Sequence, residues 1–449
     1  MKIRGSQSKR WAIGILAGAV ASSLAIAPSQ AKPARAEVGV SATEIVLGMQ
    51  LPQTGTASPG YNKVDDAMRA YFEYVNSKGG VNGRKIKLVV KDDIYKAGLT
   101  ISTASTLINK DKVFAMVGSV GTQTHISVIK DINRRGIPDL FVNSGYSGFY
   151  TDPKKYPTSF AGLGTYVVES KIQAEYLKAN FAKELADGKV GVLYQTDDFG
   201  RNVLAGFKQQ GVTFPAANTQ KFVAGSQALG LTTQVKALQA SGVSLVVIAA
   251  VANATAITIL TAAGLGFSPK WLVTSVGSDA TTFKTILTSQ GKGALAPALL
   301  NGVISASHAP SPGEDTDEYV VAFKKINDEF NVGPDKTWDN NVLQGMNIGY
   351  LTTAALMGVG KNLTRKGLIA FLESKGSTLG GAAFSPLGYS SKTHEAYKSF
   401  WMGSYDATSV LKPIGGTRVL YTTDSAAGPI TVSTYKRPAI AADALPKVG

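Results

Sequence analysis

The chain contains no cysteine, which excludes disulfides, thiol catalysis and thiolate metal sites. Histidine is nearly as scarce. His125, His308 and His394 lie far apart in the sequence, so neither a metal site nor another cofactor is expected. Acids are missing from the first 36 residues, which hold six of the Lys and Arg residues and so account for six of the net charge of +15. The other basic residues are scattered, one or two per helical pattern, with no stripe interleaved with stacking aromatics. A solvated basic surface, not a nucleic-acid interface, is the expectation.

What the acid-free leader does contain is ordered. A basic stretch, MKIRGSQSKR, precedes the apolar WAIGILAGAVASSLAIA, and PSQAKPARA then offers small-x-Ala sites ending at Ala31 or Ala36. That succession reads as a cleaved signal peptide over 1–36. Without a lipid-anchoring cysteine the mature chain is expected to be exported, periplasmic and free of a stable membrane anchor.

At 449 residues the chain is too long for one small core, so two domains are expected. From Ile45 onward short apolar runs alternate with amphipathic helical patterns, which implies right-handed βαβ crossovers and parallel sheets. Val243–Val251 is almost continuously apolar, as a strand buried on both faces should be. The alternation restarts near Gly162, so two α/β units follow one another. The region from about Thr378 is strand and turn, and 439–449 reads as a frayed tail.

The stretch VFAMVGSVGTQTHISVI runs from an apolar strand through Gly118-Ser119-Val120-Gly121-Thr122 into a helix. It lacks the lysine of a nucleotide P-loop, and the first strand ends in MQLPQTGT, which is no dinucleotide fingerprint. NSGYSGF nears a serine elbow, but Phe149 occupies the second glycine position, and no histidine falls where a triad needs one. No catalytic residue is assigned, and the chain is not expected to be an enzyme. Two hydroxyl-rich turns at successive strand ends, one around Ser119, Gly121 and Thr122 and one at Asn143, Gly145 and Ser147, suit non-covalent grip of a carboxylate. Asp92-Asp93 and Asp197-Asp198 also end strands, where helix capping is the ordinary role.

The blocks EIVLGMQLPQTGTASPGY, NSKGGVNGRKIKLVVKDD, GSVGTQTHISVIKDINRRGIPDLFVNSG and VGVLYQTDDFGR occur in that order. Together they resemble the branched-chain amino-acid-type periplasmic solute-binding proteins of ABC importers, from about Thr43 to Asp406. The resemblance implies a type I periplasmic binding protein: two doubly wound parallel-sheet lobes joined by a three-strand hinge, closing on a ligand. Lobe one would be 43–161 plus 301–376, and lobe two 162–300 plus 377–438. It places the carboxylate-binding serine at Ser119 and the second turn at Gly145–Ser147. The covering aromatic falls at Phe199 and a first-lobe contact at Pro59–Tyr61. The acids that hold an ammonium in amino-acid-binding relatives fall on Gly164 or Thr165 and on Ser275 or Val276, so both are missing here. A small carboxylate or amide-type solute, an aromatic one included, is therefore expected over leucine. Tyr61, Tyr146, Tyr150, Tyr166 and Phe199 are candidate walls, and Asp197, Asp198 or Asp279 a replacement acid. The implied partners are that solute and the membrane subunits of an ABC permease, served by a monomer. A ligand-binding sensor of the same fold is the alternative.

Overall fold

The computed structural model describes residues 37–448. The expected signal peptide, 1–36, lies outside the described residues.

Five parallel strands form the first sheet: β1 (Glu44–Leu51), β2 (Lys85–Asp92), β3 (Ala115–Val117), β4 (Asp139–Val142) and β5 (Ser159–Ala161). Their order is β2-β1-β3-β4-β5, so the direction of winding reverses between β1 and β3. The second sheet begins with β6 (Val190–Gln195), β7 (Thr219–Phe222), β8 (Leu245–Ala249), β9 (Lys270–Val273) and β10 (Ile304–Ser307). These are parallel in the order β7-β6-β8-β9-β10, with the reversal between β6 and β8. An antiparallel extension adds β11 (Ser399–Tyr405), β12 (Leu411–Pro413), β13 (Tyr421–Thr422) and β14 (Thr431–Val432).

Side-chain alternation explains why these strands need helices on both faces. Ala115 and Val117 pack into one core, while Met116 between them packs into another. In β8, Leu245, Val247 and Ala249 enter one core and Val246 and Ile248 the opposite one, all fully buried. Each such Val, Leu or Ile contributes about 1.5–3 kcal/mol by leaving water. This is the doubly wound α/β arrangement expected, and each sheet with its helices makes a lobe.

Three expected assignments change. β10, placed with the first lobe, is a strand of the second sheet between β9 and β11, where the Ser305 hydroxyl bonds the Val273 carbonyl at 2.9 Å. Residues after 376 do not pass directly to the second lobe: Leu379, Ala382, Leu387, Tyr389, Ala396 and Tyr397 pack in the first lobe's core. The tail is docked, not frayed. Tyr71 donates to the Ala444 carbonyl at 2.8 Å, Tyr74 donates to that of Asp443, and Ala444 is buried. The three expected crossings are thus joined by a fourth, made when the tail returns past Pro438, which accepts from Tyr319 at 3.2 Å.

Candidate functional site: the cleft between the lobes

The strand ends define the site. Ligands of open α/β sheets gather outside the carboxyl ends of the strands, at the reversal of strand order. Here both reversals open on one cavity. Tyr61 follows β1, Tyr95 follows β2, Val120-Gly121-Thr122 follow β3, and Asn143 follows β4. Leu163 and Tyr166 follow β5, Phe199 follows β6, Val251 follows β8, and Val276 follows β9. No charged side chain lines this cavity among the described residues.

The β3 turn is built for close approach. Val120 pairs with Asn143 across the two strand ends, and the Val120 amide donates to the Gln50 carbonyl at 2.9 Å. Gly121 has φ +110°, and a Cβ there would overlap the Tyr95 ring, so a side chain is excluded by both backbone and space. The Thr122 hydroxyl meets the Ser144 hydroxyl at 2.7 Å and that of Tyr166 at 3.5 Å. Tyr166 and Phe199 pack with ring centroids 4.4 Å apart. Burial, more than any neighbour, pushes the hydroxyls of Tyr61, Tyr95 and Tyr166 above their ordinary range. All three remain protonated at neutral pH and available as donors.

Beyond Tyr61, Asn143, Leu163 and Val276 the cavity continues into a larger chamber that carries several polar side chains. Ser275, Ser278, Asp279, His308, Asn340 and Gln344 are among its walls. His308 stacks on Tyr397 at 4.7 Å, and burial lowers its pKa to about 4, so it is neutral.

Of the residues expected at the site, Tyr61, Gly121, Thr122, Asn143 and Phe199 line the cavity and Ser275 the chamber. Four others do not line either. Ser119 is buried with no hydrogen-bond partner for its hydroxyl among the described residues, and its carbonyl serves the Asn143 amide. Gly145 makes room for the Tyr166 ring, which a Cβ would meet at 2.7 Å. Ser147 joins the lobes: its hydroxyl accepts from Asn202 at 3.0 Å and its amide donates back at 3.2 Å. Thr165 caps the helix Tyr166–Asn180 and bonds Ser425 at 2.7 Å. Tyr150 is core, its hydroxyl donating to the Ser144 carbonyl at 2.9 Å, and Tyr146 packs edge-on against Phe149.

The acids cap and pin. Asp92 and Asp93 accept from the amides of Ile94 and Tyr95, each at 2.9 Å, and hold that loop. Asp197 caps the helix Asp198–Gln209, Asp198 pairs with Arg201, and Asp279 caps Ala280–Ser289. Sequence reasoning missed Tyr95, Leu163 and Val251, and named Val276 only as an alternative to Ser275. Ile94 and Tyr95 adopt φ 51° and 57° with neither glycine nor asparagine to signal it.

A family model described as periplasmic binding protein matches residues 44–409. The chain belongs to the periplasmic binding protein family. The family's description is that of a binding protein, and the similar proteins named below are binding or transport proteins. An amino acid binding protein of Pseudomonas aeruginosa is 27% identical over 161 residues, 36% of this chain and 41% of that protein. The Leu/Ile/Val-binding protein homolog 3 of Brucella melitensis is 24% identical over 165 residues, 37% of this chain and 43% of that protein. The chain thus spans less than half the length of these curated relatives in the matched region. Two solved structures share the fold. A branched chain amino acid ABC transporter from Thermus thermophilus with bound valine has a TM-score of 0.72 at 18% identity, covering 86% of this chain and 98% of its own. A fatty acid ABC transporter substrate-binding protein from Thermomonospora curvata has a TM-score of 0.70 at 21% identity, covering 87% and 95%. Among the described residues no helix is long and apolar enough to cross a membrane.

Proposed function

We propose that this periplasmic binding protein serves an ABC importer, closing two lobes over a small carboxylate or amide-type solute with an apolar or aromatic body. The observation that carries the reading is the cavity itself. Strand ends of both lobes feed it, Tyr61, Tyr95, Tyr166 and Phe199 wall it, no charged side chain lines it, and the acid of the adjoining chamber, Asp279, is engaged as a helix cap. A buried ammonium without a charged acceptor would cost about 1–3 kcal/mol or more. The protonated tyrosine hydroxyls and Thr122 suit an acceptor-rich group, and the rings suit stacking. The names of the similar proteins are consistent with solute delivery: one is an amino acid binding protein, others belong to ABC transporters of valine-binding and fatty-acid type.

The test is a calorimetric and thermal-shift screen of amino acids, aromatic acids, short organic acids and amides. Binding concentrated in the acids and amides supports the reading. Tight binding of leucine or valine overturns it. Delivery is tested by adding the purified protein to its permease in vesicles and measuring solute uptake.

A further inference from the structure

The helix Tyr166–Asn180 starts at the capping Thr165 and buries Glu169 one turn in. Glu169 does not line the cleft. It lies behind Ser275, which lines the polar chamber. Ser275 gives this carboxylate both of its donors: its amide bonds Oε1 at 2.6 Å and its hydroxyl bonds Oε2 at 2.8 Å. Gln173 adds a third bond to Oε1 at 3.2 Å and is held in turn by the Val273 carbonyl at 3.2 Å.

The consequence is a matter of proton count. A serine hydroxyl has one proton and two lone pairs. With its proton spent on Glu169, the Ser275 oxygen can only accept. We infer that Glu169 is a positioning residue that, while ionised, makes Ser275 a hydrogen-bond acceptor in the cleft, so that the solute presents an N–H or O–H donor at this end. This rests on the solute-binding reading above and adds the polarity of the group opposite Thr122. The acid on the same chamber wall, Asp279, is engaged with the amides of Thr282 and Asn340, which leaves the Ser275 oxygen, backed by a buried carboxylate, as an acceptor for the solute.

The arrangement also links binding to protonation. Burial raises the Glu169 pKa to about 7 against the two bonds from Ser275, which lower it. On the neighbouring elements the charged and titratable groups are otherwise engaged. Lys171, on the same helix, is held by the carbonyls of Asp424, Ala426 and Gly428 at 2.8–3.0 Å. Asp197 caps a helix, Arg201 pairs with Asp198, Asp279 caps another helix, His308 is neutral, and Tyr405 donates to the Ser278 carbonyl. A donor arriving at Ser275 stabilises the ionised form of Glu169, so binding releases a proton near neutrality and affinity for donor-bearing solutes rises with pH.

The experiment compares matched probes by calorimetry at pH 6 and pH 8: 4-hydroxybenzoate against benzoate and 4-methoxybenzoate. In the wild type at pH 8 the donor-bearing member of a series should bind about ten-fold tighter or more than its donor-free partner, the scale of one charge-assisted hydrogen bond. That preference should shrink at pH 6. Glu169→Gln keeps the shape, but its amide nitrogen donates to Ser275 and turns the serine proton toward the cleft. The preference should then vanish and become independent of pH. Ser275→Ala, which leaves Glu169 in place, should lose it too. If E169Q keeps both the preference and its pH profile, or if the wild type binds donor-bearing and donor-free probes equally at both pH values, this inference is overturned and the solute-binding reading stands. If the wild type binds neither these probes nor any solute of the wider screen, the solute reading falls and takes this one with it.

Discussion

The two ends of the cleft are built in opposite ways. At the β3 end, three consecutive residues and one from the next strand do the positioning: Val120 and Asn143 tie two strand ends together, Gly121 admits the Tyr95 ring, and Thr122 lines the cavity. At the chamber end the polarity of Ser275 is decided by Glu169, 106 residues away in the sequence. The first end is local, aromatic and uncharged. The second is assembled from distant segments and carries a buried charge one layer behind the wall. A local site tolerates change in the rest of the fold, whereas a site built on a buried carboxylate is tied to pH and to the packing of a whole helix.

The sharpest break in the aromatic end is Phe199→Ala. Phe199 is 2% exposed and packs tilted against Tyr166, so truncation removes core packing and a cavity wall together. The expected loss is about 3–5 kcal/mol of folding stability, read by urea unfolding. Affinity for aromatic acids should fall with it, whereas Phe199→Leu should recover most of the stability but not the ring contact.

At the chamber end the corresponding break is a pH profile. Glu169 has an ordinary carboxyl pKa of 4.5 when unfolded and about 7 when folded. Between these values the folded state keeps a proton that the unfolded state has lost, so wild-type stability declines as pH rises through the window. Above it the cumulative loss is about 3 kcal/mol. Glu169→Gln has no such loss. Melting curves at pH 5 and pH 8 should therefore show the variant gaining on the wild type as pH rises. A gap independent of pH would mean that Glu169 ionises normally, and the contrast between the two ends would lose its electrostatic half.

Gly121→Ala tests the local end more gently. The backbone at Gly121, φ 110° with ψ 143°, costs a non-glycine residue about 1–3 kcal/mol, and the new Cβ must displace Tyr95. Binding of every aromatic probe should weaken, with no change in the pH dependence that belongs to the other end.

How much of this was legible follows the same division. The doubly wound lobes could be read because apolar runs such as Val243–Val251 and the glycine turn at Gly118–Gly121 are local signals with one physical meaning each. Gly121, Thr122, Asn143 and Phe199 were legible for that reason: each lies in the turn or helix start that follows a strand. Ser119 was not, because adjacent residues at a strand end face opposite ways, and its hydroxyl turns inward. Tyr95 sits on a left-handed backbone that neither glycine nor asparagine marks, held by Asp93. β10 looked like the close of the first lobe because its partners, β9 and β11, are set by tertiary pairing and not by its own sequence. The tail looked unstructured because the groups that hold it, Tyr71 and Tyr74, lie in the first helix.

The smallest effect tests whether the two ends are brought together by polar contacts across the cleft. Asn202 belongs to the second lobe and Ser147 to the first, and their paired bonds at 3.0 and 3.2 Å touch neither the cavity nor the chamber. Part-exposed neutral bonds of this kind are worth about 0.5–1.5 kcal/mol each at most, and less where water can replace them. Asn202→Ala should therefore leave the unfolding transition of the protein nearly unchanged. If closure depends on this pair, the loss falls on the closed state alone: affinity for every probe drops by the same factor of about three to ten, with the preference between donor-bearing and donor-free solutes intact. A uniform drop assigns Asn202 to closure. A selective drop would mean that the contact reaches the chamber end, and that the two ends are less separate than their construction indicates.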